Sequence, residues 1–177
     1  MTHARLPTGF QGACGPVSRL LKQTKSSSIL RLQGGVKHMD TTSKLAIQEL
    51  LSRSAYALDE RQLDMLRDTF SESAALVVDI AGVDGEARFE GRDAIMGLMT
   101  DSMAEQPDQR RHVVTNVFFE TEGADRATLV SNITITSVAP DRQAIRLVTS
   151  GLYRDEVVME GGQWRIASRR IILDMPY

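Results

Sequence analysis

Residues 111–119 read Arg-His-Val-Val-Thr-Asn-Val-Phe-Phe, a strand-forming run that marks the start of a long β-sheet region. In a β-strand, successive side chains point to opposite faces of the sheet. Alternation places His112, Val114, Asn116 and Phe118 together on one largely apolar face. A buried polar group without a partner costs roughly 1–3 kcal/mol. His112 and Asn116 therefore either find partners in the core or line a ligand cavity, and we follow the cavity interpretation.

The sequence before this strand has helical periodicity. Asp40 is a capping candidate, and the apolar residues from Ile47 to Leu58 keep the spacing of one helix face. Asp59 follows at the break, and Gln62 three residues later completes the arrangement of a capping box for a second helix. The other elements expected here are short strands at residues 76–80 and 88–90 and a third helix that opens at residues 91–93.

The sequence from Gln109 onward has the period of β-strands, and its breaks have hairpin chemistry. Long antiparallel strands joined by tight turns twist and curl, so they can wrap around a layer of helices. Helices first and strands afterwards predict an α+β fold, with three N-terminal helices packed on a strongly curved, mainly antiparallel sheet. The four predicted strands cover residues 112–120, 126–138, 144–159 and 164–175.

Composition excludes several classes of function. The chain has 177 residues, enough for one domain with a substantial core. Its apolar runs are far shorter than the ~20 residues of a membrane-spanning helix. A single cysteine, Cys14, excludes an intramolecular disulfide, and His112 is the only histidine after residue 38. We expect no metal, no cofactor and no membrane partner, and a cytoplasmic location.

The first 38 residues differ from the remainder in charge. They hold six of the 21 basic residues and no acidic one, which leaves 15 basic and 23 acidic groups in residues 39–177. The acidic body argues against nucleic acid as a partner. The basic segment is a disordered tail, an organelle transit peptide, or a region upstream of a bacterial translation start at Met39. We favour the third interpretation, because the folding pattern begins directly after Met39.

Six short motifs occur in order along residues 43–175. In combination they resemble the SnoaL-like family, which has the nuclear-transport-factor-type fold. The resemblance implies one domain over residues 39–177, shaped as a cone-like α+β barrel. The family is related to scytalone dehydratase, hexachlorocyclohexane dehydrochlorinase, ketosteroid isomerase and the small subunits of ring-hydroxylating dioxygenases. The motifs are AIQEL at 46–50, YALDER at 56–61, FEGRDAI at 89–95, HVVTN at 112–116, GLYRD at 151–155 and WRI at 164–166.

The resemblance implies a catalytic pair. In the dehydratase and dehydrochlorinase branch, an aspartate at the end of the first helix and a histidine on the first long strand act together, and these roles match Asp59 and His112. A neutral imidazole removes a proton while the carboxylate fixes its tautomer. The alternative is structural, with Asp59 as a helix cap and His112 satisfied in the core. Met159 stands where the dehydrochlorinase has an arginine, which disfavours halide elimination.

Further residues are predicted to line the substrate pocket beside this pair. Tyr56 lies three residues before Asp59 on nearly the same helix face, and either donates to a substrate oxygen or packs. Asn116 is a candidate for binding a carbonyl or hydroxyl group. Met99 belongs to a methionine cluster suited to an adaptable lid or to ordinary core. The predicted substrate-binding residues are Tyr56, Met99, Val114, Asn116 and Phe118.

Two classes of function follow from these features. The first is a cofactor-independent lyase of the dehydratase type, or an isomerase, that acts on a hydrophobic cyclic or polyketide-like small molecule. The second is a non-catalytic module that binds a small molecule or serves as an oxygenase small subunit. We expect a homodimer or homotrimer, because the exposed back of such a sheet usually finds a partner. Arg169, Arg170 and Asp174 are expected to form surface or interface ion pairs.

Overall fold

The computed structural model describes residues 39–141 and 143–176. The interpretations offered for residues 1–38 lie outside the described residues. Three helices and six strands form an α+β fold, as predicted from the change of periodicity. The elements are α1 (Thr41–Asp59), α2 (Leu63–Thr69), β1 (Phe70–Ile80), β2 (Glu86–Glu90), α3 (Arg92–Glu105), β3 (Gln109–Glu122), β4 (Arg126–Val138), β5 (Ile145–Glu160) and β6 (Gln163–Leu173).

The six strands form one curved sheet in the order β2-β1-β6-β5-β4-β3. Neighbouring strands are antiparallel except β1 and β6, which run parallel. Strands β3 to β6 are connected in sequence by hairpins, so the long half of the sheet is a meander. The helices pack on one face of this sheet, and the mainly antiparallel architecture predicted from sequence is confirmed.

The start of α1 follows the prediction, whereas the start of α2 does not. The Asp40 side chain accepts a hydrogen bond of 2.7 Å from the backbone N–H of Ser43, which caps α1. Asp59 is the last residue of α1, and Gln62 stands at the N-cap of α2 without a side-chain cap bond. The predicted capping box is therefore wrong, because the Asp59 carboxylate turns away from α2 and towards β3.

Strand β3 contains a bulge that reverses its side-chain alternation. Asn116 has a φ of 51°, and the pairing with β4 shifts between Thr115 and Phe118. An extra residue at a bulge moves every later side chain to the opposite face. Val117 therefore packs against the core, while Phe118 is 55% exposed. The prediction that Asn116 and Phe118 share the face of His112 is wrong.

The core has two parts. The larger cluster fills the space between the helices and the sheet, and it includes Trp164 as expected from the sequence. The smaller cluster lies on the same side of the sheet and consists of Ile133, Ile135, Tyr153 and Leu173. A cavity bordered by both clusters lies between the sheet and parts of α1 and α3.

None of the helices in residues 39–141 and 143–176 combines the length and apolar character that crossing a bilayer requires.

Candidate active site

The cavity has a volume of about 180 Å³. An apolar cavity of about 150 Å³ is large enough to hold benzene, so this space suits a small cyclic molecule. Side chains from all three helices, β1 and the four-stranded meander surround it, and about half of them are apolar. The apolar lining includes Leu58, Phe70, Met99, Met103, Ile135 and Ile171.

Asp59 and His112 meet at the cavity wall. Asp59 Oδ1 lies 2.5 Å from His112 Nδ1, and Asp59 Oδ2 accepts a 2.9 Å hydrogen bond from the His112 backbone N–H. The two side chains are only 7% and 11% exposed, respectively. Because both carboxylate oxygens bind the same residue, the ring is fixed in position and orientation. The carboxylate favours the tautomer with the proton on Nδ1, which leaves Nε2 as the basic nitrogen.

The pair comes together because the end of α1 packs against the start of β3. The Gln109 side chain donates a 2.9 Å hydrogen bond to the backbone carbonyl of Asp59. Three residues later, His112 points inward from β3, and its backbone N–H and its Nδ1 contact the Asp59 carboxylate. The contact between Asp59 and His112 spans 53 residues of sequence, so it depends on the fold and not on local structure.

The remaining predicted pocket residues divide into two groups. Met99 lines the cavity, and Val114 lies on the inner face but packs against the smaller core cluster. Tyr56 is 54% exposed, because the buried face of α1 runs through Ser54 and Ala57 instead. Tyr56, Asn116 and Phe118 therefore lie outside the cavity, the last two because of the β3 bulge.

A buried arginine of an ion pair also lines the cavity, and the sequence interpretation missed it. Arg169 Nε and Nη2 donate to the two oxygens of Asp155 at 2.7 and 3.0 Å, and Nη1 donates to Ser54 Oγ at 3.2 Å. Its guanidinium carbon lies 4.4 Å from the centroid of the Tyr153 ring. Arg169 is only 5% exposed, so the expectation of a surface ion pair is wrong for this residue. Arg170 points to the other face and pairs with partly exposed carboxylates.

Arg169 stays charged despite its burial. Desolvation lowers the pKa of a buried guanidinium, but the charge and hydrogen bonds of Asp155 outweigh this effect and raise the pKa of Arg169. The pair therefore places a permanent, locally balanced dipole in the cavity wall. Alternation counted back from Leu173 and Ile171 along β6 reaches Arg169, and this is the sequence signal that could have revealed it.

Polar contacts between the helices border one end of the cavity. Arg61, which has a φ of 56°, donates to the backbone carbonyls of Met103 at 3.0 Å and Gln106 at 2.5 Å. Arg110 pairs with Asp108 at 3.2 Å nearby. These contacts tie the turn after α1 to the C-terminal end of α3. In the part of the chain that the structure describes, no three His, Cys, Asp or Glu side chains are grouped as metal ligands.

A small α+β domain with helices on a curved sheet, and with a cavity between the two layers, belongs to the class with the nuclear-transport-factor-like or cystatin-like fold. Within this class, the chain belongs to the SnoaL-like domain family, whose model matches residues 39–170. A comparison with curated proteins gives no match.

Solved structures with the same fold come from several bacteria, and each of the three described next shares less than 25% identity with this chain. A protein of unknown function with a cystatin-like fold from Nostoc punctiforme has a TM-score of 0.67 and 23% identity, over 78% of this chain and 98% of its own. ActVI-ORFA from Streptomyces coelicolor has a TM-score of 0.65 and 20% identity, over 76% of this chain and 98% of its own. A protein provisionally identified as the β subunit of an aromatic-ring-hydroxylating dioxygenase from Novosphingobium aromaticivorans has a TM-score of 0.65 and 17% identity, over 77% of this chain and 92% of its own. These likenesses concern the fold.

Proposed function

We propose that this protein is a cofactor-independent lyase of the dehydratase type, or an isomerase, acting on a hydrophobic cyclic or polyketide-like small molecule. The observation that carries this proposal is the Asp59–His112 pair at the wall of an apolar cavity. Two adjacent groups that only stabilised the fold would not need to border a cavity of this size.

His112 acts as the general base. Nε2 takes a proton from a carbon or hydroxyl group of the bound substrate, while Asp59 holds the ring and stabilises the imidazolium that forms. In an isomerisation, the proton returns to another carbon of the same molecule. In a dehydration, it leaves with the departing hydroxyl group as water. The burial of both side chains strengthens the electrostatic interaction between the two residues.

A non-catalytic role as an oxygenase subunit is the second candidate. The fold likeness to the protein identified as a dioxygenase β subunit favours it. Such a role does not require a general base at a cavity. The catalytic candidate therefore predicts a loss of turnover when His112 is replaced, and the non-catalytic candidate does not. The oligomeric state, a homodimer or homotrimer, and the cytoplasmic location are further predictions, which light scattering and cell fractionation test.

The experiment begins with a thermal-shift screen for ligands, followed by single-turnover measurements on a compound that reacts. Positioned proton transfer typically contributes 10²–10⁴-fold to a rate. His112→Ala should lower the single-turnover rate by about that factor. Asp59→Asn should also lower the rate, because it keeps the shape of the side chain but removes its charge.

Tyr56→Phe is the matched control, because Tyr56 is exposed and lies outside the cavity. This variant should keep the wild-type rate, and circular dichroism should show that all three variants are folded. A folded His112→Ala variant with wild-type turnover would contradict the proposed general base and leave the structural interpretation of the pair.

A further inference from the structure

Arg169 has hydrogen-bonding capacity that the described protein residues do not use. A guanidinium carries five N–H donors. Three of them are engaged, two by Asp155 and one by Ser54. The side chain is only 6% exposed and lines the cavity, so the two remaining donors are shielded from bulk water. Buried donors are normally satisfied by some partner, and the contents of the cavity are the partner available to these two.

The charge around Arg169 limits what such a partner can be. Asp155 balances the guanidinium through two hydrogen bonds, and it is itself buried. A ligand carboxylate would therefore meet a guanidinium whose charge is already balanced, and would have to lose its hydration on burial. An uncharged acceptor, such as a ketone oxygen, loses less hydration and still gains a hydrogen bond from a charged donor.

The position of Arg169 relative to His112 sets the length of the ligand. Arg169 contacts Ser54 on α1, and His112 contacts Asp59 at the end of the same helix. Five residues of helix correspond to a rise of roughly 7.5 Å. An oxygen bound at Arg169 is therefore separated from the group that reacts at His112 by a distance on the scale of a ring.

We propose that Arg169 binds a ketone-type oxygen of an uncharged cyclic ligand, and that this oxygen lies across the ring from the position that reacts at His112. This inference rests on the proposed function, because it assigns the ligand class of the same cavity. Arg169 contributes binding energy away from the reacting atoms, which positions the ring against Nε2.

The test compares two probes of matched shape, 1-indanone and indane, by calorimetric titration of the full chain. We measure the dissociation constant of indane divided by that of 1-indanone. Comparing this ratio between wild type and a variant cancels the difference between the two probes in their transfer from water. Arg169→Met/Asp155→Leu removes both charges and keeps the volume apolar. In this double variant the ratio should be about 10- to 100-fold lower than in wild type, because 1-indanone loses a hydrogen bond to a charged group.

The infrared spectrum of bound 1-indanone gives a second readout that does not depend on how a variant folds. Its carbonyl stretch should move to lower frequency in the wild-type protein than in an apolar solvent. An unshifted stretch, an unchanged ratio in the folded double variant, or no binding of either probe at millimolar concentration would overturn the proposal. Tighter binding of 1-indanecarboxylate than of 1-indanone would assign an anion site instead, and would also overturn it.

His112→Ala separates this inference from the proposed function. The variant should keep the wild-type ratio for the two probes, because His112 is bound by Asp59 and Arg169 by Asp155. If His112→Ala retained turnover while the probe ratio still depended on Arg169, the general base would be wrong and the oxygen site would stand. A ratio that changes as much in His112→Ala as in the double variant would contradict a separate oxygen site at Arg169.

Discussion

Replacing Arg169 by methionine should destabilise the protein far more than the same change at its neighbour Arg170. Asp155 is 3% exposed, and both of its oxygens bind Arg169. Removing the arginine leaves a buried carboxylate without its counter-charge, which typically lowers the free energy of unfolding by about 3–5 kcal/mol. Arg170 pairs with Asp79 and Glu86, which are partly exposed and remain hydrated when the arginine is lost.

Urea unfolding followed by circular dichroism measures this difference. With a urea dependence of roughly 1–3 kcal/mol per molar, Arg169→Met should lower the midpoint by more than about 1 M. Arg170→Met should leave the midpoint nearly unchanged. Because these substitutions affect adjacent residues with the same loss of charge, a difference between them reports burial and pairing and not net charge.

The double variant Arg169→Met/Asp155→Leu is the second control. Replacing a buried ion pair by apolar residues of similar volume is often neutral or stabilising, so this variant should recover most of the lost stability. Equal midpoint shifts for Arg169→Met and Arg170→Met would refute the reasoning. A double variant as unstable as Arg169→Met would show that packing of the arginine stem, and not the unpaired Asp155, causes the loss.

Three further predictions concern backbone contact, capping and assembly. Gly151→Ala should lower the free energy of unfolding by about 3 kcal/mol or more, because an added Cβ would lie 2.0 Å from the Ile172 carbonyl oxygen; Gly97→Ala on α3 meets nothing within 4 Å and should be neutral or stabilising in the same denaturation assay. The hydrogen bonds from Ser43 lower the pKa of Asp40, so its capping contribution is complete above the ordinary value of 3.8 and is lost as the pH falls through the lower folded value; thermal melts of wild type and Asp40→Ala should therefore differ at neutral pH and converge in strong acid. Leu147 is 71% exposed on the outer face of the sheet, and Leu147→Lys should reduce the mass measured by light scattering if this face holds the predicted homodimer or homotrimer.

The order and type of the elements could be predicted because hydrophobic period is a property of short stretches of sequence. The predicted bounds of β4 are those observed, residues 126–138, and the switch from helices to strands falls where the period changes. Asp59 marks the limit of local interpretation. Its local sequence context allowed a helix cap as readily as a catalytic role, and its pairing with a residue 53 positions away was expected from the family resemblance and not from local pattern.

The errors on the strands share one physical cause, which is a β-bulge, whereas Tyr56 was misplaced on a helix. In β3, the bulge at Asn116 reverses the alternation, so Val117 and not Phe118 follows His112 and Val114 on the inner face. Asn is among the few residues that tolerate this positive φ, but its presence in a strand does not predict where a bulge occurs.

The same effect decides which arginine is buried in β6. The hairpin that pairs Glu160 with Gln163 continues in register to Val157 and Ile166, and in that register Asp155 would face Ser168. The pairing shifts by one residue before Glu156, so Asp155 instead faces Arg169. This shift carries Arg169 to the inner face, where strict alternation from Trp164 and Ile166 would have placed Arg170. Bulges recur beside functional sites because they redirect a side chain without changing the topology of the sheet. In this fold, the bulge at Asn116 sets which β3 side chains follow His112 on the inner face, and the bulge in the β5–β6 pairing delivers the cation that we assign to the ligand oxygen.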